Sequence, residues 1–248
     1  MRTLPEIVEA AYALFAPYTL GRTLQVCPCC VSDEEQRALL AVPLRQVPSD
    51  LLWRSYYESA CYHTERELWE MKHFLPRVLE LVSEFEYPCH SPEIVFMRLD
   101  LDQPERWLPA ERELLAEFAH AFFGQCLQHY PLPGGDALAD VLVVFGVAYF
   151  DLAPLLQAWT GTDTPVSMAH FAHLLLEDLS YPPHKPLALQ NPFSEPYVAE
   201  QVAAWLADPA VRATWAARLE AAIMQGKLSD EWATCVSLTY EVLTRSLP

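Results

Sequence analysis

Apolar residues recur at three- and four-residue intervals along most of the chain, and most runs follow a helix-start signal. Thr3 precedes Ile7, Ala10, Ala11, Leu14 and Phe15, so it caps a first helix. Ser32 stands before Asp33, Glu34 and Glu35, a capping box with acid in the first turn, where the helix dipole favours it. Ser49 opens a further helix. Thr64 with Glu67 reads as a second capping box, opening a segment from Glu65 to Phe85 that should kink near Pro76. Later starts are Ser91-Pro92, Pro109-Ala110-Glu111, Asp136, Thr164-Pro165, Ser194-Glu195-Pro196, Asp208-Pro209 and Ser229-Asp230-Glu231. Several put proline in the first turn, where its missing N–H costs nothing.

Strand signals are weak. No Asn-Gly or Asp-Gly turn occurs, and the run Glu93 to Leu99 begins with Ser-Pro, which favours helix. The pattern predicts an all-α fold of roughly ten helices, with a rhythm that fits stacked hairpins, although no motif recurs at a fixed period. The most apolar stretch, Ala137 to Trp159, reads as a buried core helix, because Asp140, Asp151 and Pro154 interrupt it. Residues 1–180 are expected to form the main helical domain, including a cysteine loop. Residues 181–192 form a proline-rich connector, and residues 193–248 a C-terminal helical cap.

Composition supports a folded chain. The 248 residues are 52% hydrophobic and 20% charged, which excludes intrinsic disorder. Charge then narrows the partners. With 16 Lys+Arg against 33 Asp+Glu, the formal net charge is −17. Nucleic acid and anionic membrane surfaces are repelled by such a chain, whereas a basic protein is attracted. The N-terminus shows no signal-peptide pattern, and seven cysteines is an odd number. Both point to a reducing cytoplasm.

Cys27-Pro28-Cys29-Cys30-Val31-Ser32 is followed by Leu39-Leu40-Ala41-Val42-Pro43-Leu44-Arg45 and by His73-Phe74-Leu75-Pro76-Arg77. This order resembles a group of uncharacterised bacterial proteins in which a Cys-x-x-Cys-x-Ser segment precedes Pro-Leu-Arg and Phe-Leu-Pro-Arg stretches. The resemblance covers about the first third of the chain. It implies a bacterial, cytoplasmic protein and no particular activity.

Candidate chemistry is sparse. Cys27, Cys29 and Cys30 supply half of a tetrahedral zinc site, which Cys61, His63, His73 or Cys89 would have to complete. The bland alternative is reduced thiols in a loop. A redox dithiol of Cys27 and Cys30 is disfavoured, because that motif normally opens a helix after a strand and here the cap comes later, at Ser32. Glu70-x-x-His73 and Glu117-x-x-His120 have the spacing of a di-iron bundle, with Glu58 and Glu177 or Asp178 as further ligands. Two such pairs are hardly more than chance supplies. His170 and His173, with Glu177, share a helix face and read first as helix-packing residues. Trp205, Trp215 and Trp232 read as core. No Gly-x-Ser-x-Gly elbow or phosphate-binding glycine loop is present.

Between Arg112 and Lys185 there is no Lys or Arg. The acids of that interval include Glu113, Glu117, Asp136, Asp140 and Asp151, which are the candidate contacts for a cationic partner. The best reading is an acidic interaction protein that occludes a basic protein, with an immunity protein or antitoxin as its concrete form. The alternative is a helical metalloprotein holding zinc or iron.

Overall fold

A computed structural model describes residues 2–59, 64–181, 187–225 and 229–245, with the side chains of Asp230, Glu231 and Arg245 left aside. The fold is all-α, as the periodicity predicts. Its contacts divide the chain into two compact units, Met1–Phe122 and Phe123–Pro248. The division falls inside one helix, and of the segment expected to be a connector, 181–192, residues 182–186 lie outside the described residues.

In the first unit, α1 (Leu4–Leu14) buries Ile7, Val8 and Ala11 on one face and packs on α4 (Glu65–Ser83). The Glu6 carboxylate accepts bonds from the Thr3 amide and hydroxyl, which fixes its start. Between them lie α2 (Asp33–Ala41) and the short α3 (Ser49–Leu52), which runs on into a π-helical turn, Trp53–Tyr57. Ser32 and Glu35 bond reciprocally, as a capping box requires. Thr64 makes only half of one. Its hydroxyl oxygen accepts from the Glu67 amide, but the Glu67 carboxylate faces Arg98 at 3.7 Å. Helix α4 continues through Pro76, which is buried within it. The run 93–99 forms 3-10 turns, Pro92–Ile94 and Met97–Leu99, rather than a strand. Helix α5 (Pro109–Cys126) closes this unit and opens the next.

In the second unit, the apolar stretch expected to be one helix is two: α6 (Leu138–Gly146) and α7 (Ala153–Gly161). Tyr149 between them takes a left-handed backbone at φ 62°, and Pro154 stands in the first turn of α7. Then come α8 (Pro165–His173), a π-helical turn (Leu174–Asp178) and a two-stranded antiparallel hairpin. Its strands β1 (Leu179–Ser180) and β2 (Ala188–Leu189) pair Leu179 with Leu189. Helices α9 (Pro196–Ala207), α10 (Pro209–Gln225) and α11 (Asp230–Arg245) complete the unit. Its core is aromatic. Trp159 stacks on Trp205 at 5.3 Å between centroids and meets Trp215 edge-on, while Phe171 lies against Trp215.

Candidate functional site

The cysteine segment forms a tight turn ahead of α2. The Cys30 amide donates to the Cys27 carbonyl at 3.0 Å, and the Cys27 amide donates to the Ser59 carbonyl at 3.1 Å. Val26 and Val31 are buried on either side. Cys29 and Cys30 are exposed and Cys27 is half-buried, and none of the three is in a disulfide. The Cys29 backbone and the Cys30 thiol, close to the Cys27 sulfur, hold its pKa below the ordinary value. His63, expected as a zinc ligand, lies outside the described residues, as does Cys61. His73 is engaged elsewhere: its Nδ1 lies 2.6 Å from the Tyr18 carbonyl oxygen, and burial lowers its pKa. Burial pushes the Cys89 thiol up to about 12. Among the described residues no three His, Cys, Asp or Glu side chains group as a metal site.

The carboxylates of the Glu/His pairs at di-iron spacing are engaged too, while the buried Nδ1 of His120 has no hydrogen-bond partner among the described residues. Glu70 accepts from the Gln25 amide at 2.8 Å and from Arg66 at 2.9 Å. Glu117 accepts from Arg2, which holds its carboxyl below the usual range.

Of the five acids expected to meet a cationic partner, Glu113 and Glu117 belong to the first unit and the other three to the second. Glu113 and Asp151 are exposed, Asp151 while accepting from the Ala153 amide at 3.0 Å. Asp136 is half-buried. Asp140 is committed within the fold. One oxygen takes the Ala137 amide at 2.8 Å and the other the Asn191 side chain at 2.7 Å. It shares a small polar cavity of about 210 Å³ with Asp178. Burial, together with Asp140 and Glu177, pushes Asp178 up to about 7. Asp178 lies 3.5 Å from His173 Nε2, and His173 Nδ1 is 3.4 Å from the Tyr130 hydroxyl.

Tyr130 in turn lines a groove of about 800 Å³ walled by α8, α10 and α11. This is the volume of a ligand or peptide site. Helix α10 contributes Ala217, Ala221 and Ala222, whose short side chains leave the groove open. Val166, Met168 and Trp232 make its apolar walls. The cation at its edge, Arg218, is held by Asp163 at 3.4 Å, by the Thr162 carbonyl at 3.3 Å and over the Trp215 ring.

Sequence reasoning placed Trp232 in the core and passed over Tyr130 and the alanines. Ala217 and Ala221 stand four apart on one face of α10, so the small-residue spacing was visible, but not what lies opposite. The pairing of Asp140 with Asn191, 51 residues away, left no trace in the pattern. No protein-family model matches the chain, and no curated protein or solved structure does.

Proposed function

We propose that the second unit is a recognition module that takes a cationic amphipathic helix of a basic protein into the groove of α8, α10 and α11. The observation that carries this reading is an open, alanine-floored apolar groove on a unit whose Asp and Glu outnumber Lys and Arg more than two to one. An amphipathic helix docks by laying its apolar face into such a groove. Its Lys and Arg then meet the acid excess of this unit. Arg218 offers little repulsion, because Asp163 already neutralises it. The partner's own surface is occluded, which is the action of an immunity protein or antitoxin and needs no catalytic group.

The test uses the full chain and two synthetic helices of about 18 residues, or five turns. They share one leucine face, and the other face is lysine in one and glutamate in the other. Calorimetry should show the lysine peptide binding, at least tenfold weaker binding to Ala221→Trp, and further loss on adding salt. Equal binding of both peptides, or undiminished binding to Ala221→Trp, would overturn the proposal.

A further inference from the structure

The turn ahead of α2 joins features that the groove does not use. We propose that Cys27 and Cys30 form a thiol–disulfide exchange site whose oxidant is a low-molecular-weight disulfide.

The backbone brings the two residues within bridging distance. The Cys30 amide bonded to the Cys27 carbonyl closes a four-residue turn, and such a turn holds its end Cα atoms less than about 7 Å apart. A disulfide spans Cα separations of about 4.4–6.8 Å. The Val31 amide bonds to the same carbonyl at 3.0 Å, so the chain is held in this curve by two donors. Both ends of the turn are fixed. The Cys27 amide is tied to Ser59, and Ser32 is locked to Glu35 at the start of α2. Buried Val26 and Val31 anchor the flanks. The reduced turn is therefore preorganised, and closing the ring asks for little movement.

Access and reactivity are divided between the two thiols. Cys27 is half-buried, and the neighbouring Cys29 backbone and Cys30 thiol lower its pKa, which favours the thiolate, the nucleophilic form. Cys30 is exposed, as a resolving thiol must be. Cys89 and Cys126 have the opposite surroundings, since burial raises both.

In the exchange, the Cys27 thiolate attacks one sulfur of the oxidant RSSR. The S–S bond breaks, and RS⁻ leaves and takes up a proton. Cys30 then loses its proton, and its thiolate attacks Cys27 Sγ and displaces the second RS⁻, which is protonated. Two protein thiols are oxidised to one disulfide, and one small disulfide is reduced to two thiols.

The experiment equilibrates the full chain with graded mixtures of reduced and oxidised glutathione, alkylates the remaining thiols and maps the peptides. The expected result is one two-electron transition that links Cys27 to Cys30. Cys29→Ser should leave its midpoint unchanged. Cys30→Ser should accumulate glutathione on Cys27, and Cys27→Ser should abolish the linked peptide. Glutathione spread over Cys29 and Cys30 without a link would overturn the proposal. So would a linked pair other than Cys27–Cys30. The same holds if the purified protein carries zinc that protects these thiols from alkylation and leaves with their oxidation only after chelation.

Discussion

Phe171 lies flat on Trp215, with the ring planes 2° apart and the centroids 4.0 Å apart, both excluded from solvent. The pair clamps α8 to α10 beneath the groove. Trp215→Ala should cost about 3–5 kcal/mol, the range for emptying a large aromatic site. The Trp215 indole N–H has no acceptor among the described residues. Trp215→Phe should therefore keep most of the stability, since it retains a stacked ring and removes a buried donor. Urea unfolding of the two variants distinguishes the stack from the N–H.

A buried ion pair holds the first unit. Lys72 Nζ meets Glu111 at 2.8 Å, and the side chains are 5% and 0% exposed. Glu111 also accepts from the Tyr18 hydroxyl and the Leu108 amide, and Lys72 lies over the Trp107 ring. Lys72→Met strands the carboxylate and should cost about 3–5 kcal/mol. Lys72→Met with Glu111→Gln should recover part of that loss, because the amide oxygen still accepts from Leu108 and its NH2 donates to the Tyr18 hydroxyl, with no charge left buried. A double variant less stable than the single would refute this account. By contrast, Arg54→Ala, which removes an exposed pair with Asp50, should leave the Tm unchanged.

Asp178 should make stability depend on pH. Its pKa is raised from 3.8 to about 7, so the folded chain holds a proton there that the unfolded chain has released. That contribution is full below about pH 4 and is lost as the pH rises to about 7. His170 and His73, lowered by burial, give the opposite slope below their ordinary value of 6.5. Both histidines remain in Asp178→Asn, so the difference in Tm between the proteins isolates Asp178. The variant should gain on the wild type between pH 4 and pH 7 and then hold its lead. A constant difference across this range would show that Asp178 titrates as an ordinary carboxyl.

Ser32→Ala removes the acceptor of the Glu35 amide and one donor to its carboxylate. It should cost about 1 kcal/mol in chemical denaturation. Hydrogen exchange should quicken first in the opening turn of α2.

The helix starts were legible because a cap is a local device. Thr3, Ser32, Thr164, Pro196 and Pro209 each mark the start that the structure shows. Thr64 was legible by half: its own bond is local, whereas Glu67 is drawn off by Arg98 from a distant part of the chain. The break between α6 and α7 was hidden, because Val147 to Phe150 stays apolar while Tyr149 turns left-handed. The π-helical turns carried no composition signal. Candidate chemistry was legible only where it was contiguous. The Cys27 to Cys30 turn could be seen in the sequence, but its hydrogen bonds could not. Asp140 was correctly noticed as an acid, yet its commitments to Ala137 and Asn191 depend on tertiary structure.

Gly146 ends α6 against α9, where any Cβ would overlap Val198 Cγ2. Its backbone has an ordinary conformation, so glycine is required by contact and not by a turn. This fixes an order on inheritance. Every single substitution at 146 meets Val198 first, so the position can drift only in lineages where residue 198 has already become smaller. Variants recovered at 146 in a random library should therefore carry a second change at 198, whereas changes at 198 should also appear alone.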